Sequence, residues 1–512
     1  MEESGRKVGE WSWMALLAAL GAGLALGASF VNFRLWPVPW IALAPLIALA
    51  ESLTPRLAFR LGWLAGLAGI AWAFSWLVYA FQVFGGFSLP LALMLFVAPV
   101  AWMALEIGLF TGLLAWLGPL PLGLAAPLTF TAVEFAFPTL FPWRLAHTQS
   151  RVVALLQTGE IAGPFMLGFA IVWVNAGIVS LFRHGQKTPL VAALALILVL
   201  GVFGAHRAAV IDAARRSASV LRVGVIQGNV GVERKGDRTF FRRNLEDYRR
   251  LSNELAPQVD LLVWPETVAQ YPIEKGARIP PPEAHPFPDP PRQLVFGGLA
   301  VEEGTEGHRV YNSAFLLDGT GAIVGRYDKR VLVPFGEYLP FATRFPWLRR
   351  ISPATGRFTA GVESTLLTAA GGVRLGPLIC YEDVIPGPAR EAVAQGASLL
   401  LNLTNDAWYG ASAEPYQHQA LALWRAVETR RDFIRSTNTG LTTAISATGE
   451  VLSELPIFVE GTLTVESRLL DLVTFYVVWG DVFSWVVVAV WVAAMCRGII
   501  IDSNARGRSS EG

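Results

Sequence analysis

Cys380 sits where an apolar run turns abruptly charged, in GPLICYEDVIPG (residues 376–387). A thiol attacks as its thiolate, so it needs a base to take its proton and a group to steady the charge that develops. Histidine usually supplies the base. The chain has six, His147, His184, His206, His285, His308 and His418, and only His418 falls in a clearly structured part of the polar half. A carboxylate and a lysine can do the same work. WPET puts Glu266 at the end of an apolar strand, and RYDKRVLVPFGEYLP (326–340) offers Lys329 with a second carboxylate, Glu337. Each has a plain reading on its own: a small core thiol, a capping glutamate, a solvated lysine. They share one property, a place at a strand end or loop mouth, and so do Asn402 and Asp406 in ASLLLNLTND (397–406).

The elements that must position these residues follow from periodicity. Buried strands are predicted over 220–229, 260–267, 293–300 and 397–406, with a hairpin over 311–329 turning at Asp318–Gly319 and a strand–turn–strand unit over 364–382. Helices are predicted over 238–255, 387–395 and 417–433, and more strands over 433–455. Strands interleaved with helices and hairpins imply a layered α/β fold. No Gly-rich phosphate loop and no paired Cys/His spacing occurs, so neither a cofactor nor a metal is expected.

This polar region is set into an apolar chain. Of 512 residues, 53% are hydrophobic and only 16% charged, and the apolar ones are concentrated in 1–210 and 472–496. A span needs about 20 apolar residues. Candidates are 12–30, 35–51, 57–81, 89–117, 119–139, 160–182, 188–206 and 472–496, about eight, with a break at Gly118–Pro119 between the fourth and fifth. The expected layout is a bundle of seven spans over 1–217, a soluble domain over 218–470, and a last span and tail over 471–512. Arg6, Lys7, Arg56, Arg60, Arg183, Lys187 and Arg497 fall on one side of eight spans, which puts both termini in the cytoplasm and the soluble domain outside. Arg207, Arg215 and Arg216 run against that rule, from which long translocated domains are often exempt. Glu106, Glu134 and Glu160 lie in or at the ends of spans, where a carboxylate faces a cavity or the bundle interior. Trp143, in FPWRLAHTQS (141–150), is either an interfacial anchor or a headgroup contact. A net charge of +1 gives no reason to expect a nucleic-acid partner. Two cysteines, Cys380 and Cys496, form no disulfide framework.

WPET, YDKRVLVPFGEYLP and LICYED resemble the three blocks of the nitrilase, or carbon–nitrogen hydrolase, superfamily, whose Glu-Lys-Cys triad maps to Glu266, Lys329 and Cys380, 63 and 51 residues apart. VPFGEYLP, NLTNDAWYG (402–410), PYQHQALALWRAVE (415–428), RSTNTG (435–440) and the span pattern are similar to its membrane-bound branch, the apolipoprotein N-acyltransferases. The resemblance implies an α-helical membrane bundle carrying an α-β-β-α sandwich domain before the last span. It implies an acyl transfer through a cysteine thioester, from a phospholipid donor to a diacylglyceryl apolipoprotein acceptor, by a monomer in the bacterial inner membrane with its catalytic domain in the periplasm. Glu337 or Glu382 would then keep Lys329 protonated and aimed, and Tyr381 would wall the site. Asn402 and Asp406 would line the pocket or form a turn. Phe335, Tyr338, Phe341, Phe345 and Trp347 would serve as apolar arms that keep water from the thioester, or as domain packing. Where the family often has a Lys-Trp pair, this chain has Lys235–Gly236. Two rivals share parts of the pattern: a membrane-tethered amidase acting on small C–N bonds, and a transporter with a non-catalytic outer domain.

Overall fold

The computed structural model describes residues 12–83, 85–117, 120–231, 238–283, 285–304, 307–342, 344–351 and 356–509. Arg6, Lys7, the Gly118–Pro119 break and the Lys235–Gly236 pair lie outside them. Two compact units result. One takes the chain up to Ser75, Leu93–His206 and Trp479 onward; the other takes Trp76–Ala92 and Arg207–Val478.

The first unit is helical. α1 (Trp13–Val31) starts where the Ser12 side chain accepts the Ala15 N–H, and it packs on α2 (Pro55–Ala73) through small residues. A Cβ on Gly23 would come within 2.0 Å of the Ala65 carbonyl oxygen, and one on Gly27 within 2.5 Å of that of Gly69. Helices in lipid approach this closely only through such residues. After α2 the chain breaks at Phe74–Ser75 and continues as α3 (Trp76–Val83), which belongs to the second unit. α4 (Leu89–Trp116), α5 (Leu122–Ala136), α6 (Phe165–His184) and α7 (Thr188–Ser217) follow. Among the described residues four helices are long and apolar enough to cross a membrane, five with the α2–α3 pair counted as one span. The eight spans read from the sequence also require three shorter apolar helices, Pro39–Ser52, Leu122–Ala136 and Val482–Arg497.

Glu134 of α5 is buried, and its Oε1 accepts the Leu145 N–H at 2.6 Å. With Glu106 it borders a cavity of about 90 Å³ inside this unit, whose other walls include Phe30, Phe74 and Trp143. Trp143 itself packs edge-on against Phe30, Phe74 and His147 and stacks on Phe33.

The second unit holds two sheets. In the first, β1 (Ser219–Gln227), β2 (Leu261–Val263), β3 (Ala269–Glu274), β4 (Gln293–Gly304), β5 (Gly307–Leu317) and β6 (Ile323–Asp328) are joined by the late strand β13 (Gly461–Leu469), in the order β13-β1-β2-β4-β5-β6 with β3 on β4. The second runs β12-β11-β10-β9-β8-β7 through β7 (Leu367–Thr368), β8 (Arg374–Ile379), β9 (Leu399–Thr404), β10 (Phe433–Thr437), β11 (Thr443–Ile445) and β12 (Val451–Glu454). Strands β1, β2 and β4 are mutually parallel, as are β8, β9 and β10.

Alternation along each strand sorts the core into three layers. Val223, Val225, Leu261 and Val263 meet Leu375, Leu399, Leu401 and Leu403 between the sheets. The opposite face of the first sheet, with Leu262, Trp264 and Phe296, is covered by Leu245, Tyr248 and Leu251 of α8 (Phe241–Leu255). That of the second, with Leu378, Leu400 and Phe433, is covered by α9 (Pro386–Ala394) and α10 (Glu414–Thr429). Each buried Val or Leu stabilises by about 1.5–3 kcal/mol. This is the α-β-β-α sandwich expected from the sequence, with two differences. Strand 260–267 stops at Val263, because Pro265 has no N–H for the ladder. Strands β3 and β13 were not anticipated.

Candidate active site

The parallel strands of both sheets end at one edge, where chain turns carry side chains that the ladder no longer constrains. In β8 the even-numbered Leu378 faces the helices. Strict alternation would send Cys380 the same way. Cys380 instead leaves the strand at φ +49°, opens a short helical turn (Cys380–Asp383), and packs against the core between the sheets. A non-glycine residue in that region is strained and persists only where its surroundings hold it. Here the ties are specific. Asn402 Nδ2 donates to the Cys380 carbonyl at 3.0 Å. Glu382 Oε2 accepts the Ile379 N–H, while its Oε1 accepts from Tyr327 Oη and from the Arg330 and Val331 N–H groups. Glu382 thus binds the cysteine turn to the segment that follows Lys329.

Glu266 comes from the first sheet. The WPET turn lies so close to β4 that a Cβ on Gly297 would meet Thr267 N at 2.5 Å and Glu266 Cα at 2.6 Å. Only glycine fits there. Lys329 follows β6, with its N–H donating to the Asn312 carbonyl at 2.8 Å. Its Nζ lies 2.7 Å from Glu337 Oε2 and 4.0 Å from Glu266 Oε1, with all three side chains buried. Asn312 of β5 was missed by the sequence reading, yet its Nδ2 donates to Glu266 Oε1 at 2.7 Å and to Glu337 Oε1 at 3.1 Å, holding the two carboxylates apart. Its signal was an amide in an otherwise apolar strand, YNSAFLL.

The electrostatics follow. Burial works against the charge on Lys329, but Glu337, the cysteine and Glu266 outweigh it and hold the ammonium above its ordinary range. Burial, with Glu266 adding and Lys329 opposing, pushes the Cys380 thiol well up. At rest the sulfur therefore keeps its proton, and attack requires a base at the moment of reaction. Cys380 is only half-buried, so a substrate can reach it. Burial pushes the neighbouring Tyr381 up to about 12, and Tyr338 adds to the effect. Phe335 and Phe341, at φ +65° and +61°, stand 60% and 73% exposed, and Tyr338, Phe345 and Trp347 are exposed with them. These aromatics therefore lie largely at the surface.

A second polar cluster lies behind the cysteine turn. His418 of α10 directs Nε2 to Asp383 Oδ1 at 2.5 Å and Nδ1 to Asp406 Oδ1 at 3.3 Å; Arg435 Nε donates to Asp383 Oδ2 at 3.0 Å. Burial opposes the imidazolium, but Asp383 prevails and its pKa is pushed up to about 10. Burial, with Asp406 beside it, pushes the Glu414 carboxyl well above its ordinary range. Asp406, Glu414 and His418 have donor types a metal could use, and His418 and Arg435 both bond to Asp383 within the same buried cluster. Gly440 of RSTNTG closes over it: a Cβ there would come within 1.9 Å of Asp406 Oδ2. Asp406 is thus buried in this network and not a pocket wall, while Tyr409, three residues on, stacks edge-on with Trp76 of α3. Trp143 belongs to the other unit.

Comparison with known proteins agrees with this architecture. Residues 222–474 match the carbon–nitrogen hydrolase family model, and 22–177 match the apolipoprotein N-acyltransferase N-terminal domain. The chain is 34% identical over 92% of its length to the apolipoprotein N-acyltransferase of Geobacter metallireducens, covering 93% of that protein. It is 32% identical over 91% to the one of Azotobacter vinelandii, covering 92% of it. Among solved structures, an amidase from Nesterenkonia sp. aligns with 50% of this chain and 92% of its own at 21% identity and a TM-score of 0.34, a likeness too slight to bear on function.

Proposed function

The chain belongs to the apolipoprotein N-acyltransferase family, and from that premise we propose that it moves an acyl chain from a phospholipid to the N-terminal α-amino group of a diacylglyceryl-cysteine lipoprotein. Cys380 attacks the ester carbonyl as Glu266 takes its proton. Lys329, fixed by Glu337, steadies the tetrahedral oxyanion. The ester C–O bond breaks, the lysophospholipid leaves with the proton from Glu266, and a thioester remains on Cys380. The α-amine of the lipoprotein then attacks the thioester carbonyl, the C–S bond breaks as the amide forms, and Glu266 passes the amine proton to the departing thiolate, which restores the thiol. The two substrates use one site in turn.

The observation that carries this reading is the Lys329 ammonium, 2.7 Å from Glu337 and 4.0 Å from Glu266, acting on the thiol of a half-buried cysteine in strained backbone. The exposed aromatics of 335–347 support a lipid substrate, since small amides would not call for them. The protein resides in the bacterial inner membrane. The one-sided placement of Arg56, Arg60, Arg183, Lys187 and Arg497 supports a periplasmic α/β domain and cytoplasmic termini.

The test is intact-mass analysis after incubation of the purified protein with phospholipid alone. We expect a single acyl-sized adduct that is discharged by a lipopeptide amine and absent in Cys380→Ala. Turnover of small amides with no adduct would instead favour the amidase reading.

A further inference from the structure

The helical unit holds a feature that acyl transfer at Cys380 leaves unused, the cavity of about 90 Å³ bordered by Glu106 of α4 and Glu134 of α5. One water needs about 10–15 Å³ of such space, so the cavity admits a group of several non-hydrogen atoms. All its walls belong to the first unit. Phe30, Phe74, Phe141 and Trp143 supply aromatic walls, and among the described residues no Lys, Arg or His lines it. Glu134 is 2% exposed; its Oε1 accepts the Leu145 N–H at 2.6 Å, and its Oε2 is buried with no hydrogen-bond partner. Glu106 is half-buried and hydrogen-bonds to no described residue. Arg144, beside the cavity in sequence, donates through Nη1 to the backbone carbonyl of Glu134 and sets its guanidinium 5.3 Å from the Phe165 ring centre. One guanidinium does not offset two carboxylates, and buried charge is costly unless it is paired.

We propose that this cavity is a binding site for a primary ammonium group, with Glu106 and Glu134 as its counter-charges. The proposal goes beyond the reading of Cys380 and does not depend on it. Ionisable side chains inside a membrane bundle are retained at a cost and mark ligand or ion sites. An acyl chain would suit the apolar walls but would leave both carboxyls without a partner. An ammonium brings one positive charge and three N–H donors. The carboxyls offer open acceptor positions, and aromatic walls attract a cation. Trp143, an anchor or a headgroup contact by its sequence, becomes one wall of this site. Two molecules carry the required chemistry: a phospholipid with an aminoethyl headgroup, and a lipoprotein with a free α-amine. Both present a small cationic group on an apolar anchor, which matches a small acidic cavity within a membrane bundle.

The experiment labels buried carboxyls with dicyclohexylcarbodiimide in the full-length protein and reads Glu106 and Glu134 by peptide mass spectrometry. A Cys380→Ala background keeps the lipids from being consumed. Nanodiscs of phosphatidylglycerol give an amine-free reference. One arm adds phosphatidylethanolamine, a second adds a diacylglyceryl lipopeptide with a free α-amine, and a third adds the same lipopeptide N-acylated. A bound ammonium should slow labelling of Glu106 about tenfold, or leave the amine joined to that residue as an amide. An effect of phosphatidylethanolamine alone identifies the headgroup as the ligand, and an effect of the free-amine lipopeptide alone identifies the lipoprotein; either supports the proposal, as do both together. Native mass spectrometry gives a second measure. The parent should hold the amine ligand about tenfold more tightly than its amine-free counterpart, and Glu106→Gln, which loses a charge and no hydrogen bond, should erase that preference. If neither carboxyl reacts in phosphatidylglycerol, this comparison decides by itself. Equal labelling in every arm overturns the proposal, and so does a preference for the amine that survives in Glu106→Gln and Glu134→Gln alike.

Discussion

The α/β domain buries two clusters of charge, and they are built from similar groups to different ends. One gathers Glu266, Glu337 and Lys329 about Asn312; the other gathers Asp383, Asp406, His418 and Arg435. The first borders a half-buried thiol and aims its cation where charge would develop. The second has no exposed member and uses both nitrogens of its imidazole on carboxylates. The first cluster is poised for a reaction, while the second fixes the turn on which the nucleophile stands. Buried charge by itself therefore does not mark the reactive centre here; a reachable nucleophile beside it does.

If that division holds, variants of the first cluster lose chemistry beyond any loss of fold. Glu266→Gln removes the base and keeps the shape, and adduct formation should fall by about 10²–10⁴ with thermal stability nearly unchanged. Lys329→Met should abolish transfer and also destabilise by about 3–5 kcal/mol, because Glu337 is left buried without its cation. Stopped-time mass spectrometry and thermal melts separate the two effects. Lys329→Met with full activity would end the distinction.

The second cluster should respond in the opposite order. The raised pKa of His418 means that its contribution to stability is complete below about 6.5, the ordinary histidine value, and is lost as pH rises through about 10. Between those values the parent should lose stability by up to about 1.4 kcal/mol per pH unit from this group. His418→Gln should lower stability by about 3–5 kcal/mol near pH 6, where the imidazolium is fully formed, and flatten that slope. Adduct formation per folded molecule should fall less than in Glu266→Gln. Denaturant melts of both proteins across pH 6–10 provide the measurement, and parallel curves would remove His418 from the network.

The first cluster was largely legible in the sequence and the second was not, for a physical reason. Glu266 and Cys380 each end an apolar stretch and Lys329 stands at the mouth of the loop after the 311–329 hairpin, and a strand end is visible as a change from apolar to charged. The second cluster draws Asp383 and Asp406 from two separate short helical turns, His418 from a helix face and Arg435 from inside a strand, and no local pattern says that these meet. Asn312 escaped because a single amide in YNSAFLL looks like any polar interruption until its two carboxylate partners arrive from elsewhere. Strand β13 did carry a signal, since its burial alternates over Leu463–Ser467, but its partner β1 lies some 240 residues earlier. The positive φ at Cys380 has no sequence signature, because the tie that imposes it comes from Glu382, whose donors are mostly remote.

The subtlest distinction between the clusters is geometric, and Gly297 tests it without touching any charge. A methyl group there meets the backbone of Pro265, Glu266 and Thr267 at 2.5–2.6 Å, so either β4 or the WPET turn must move. Overpacking of this kind costs about 1–3 kcal/mol. In Gly297→Ala the base should shift relative to Asn312 and the sulfur, while His418 and its carboxylates stay as they are. The stability of the variant should then fall by that amount and keep the parent's pH slope, because the second cluster is intact. Adduct formation should fall about tenfold or more, since catalysis tolerates displacements of a base far less than folding does. Measured together, an unchanged pH slope and a reduced rate would locate the damage in the first cluster alone. A flattened slope would mean that the two clusters share their framework through the inter-sheet core more tightly than their separate hydrogen bonds imply.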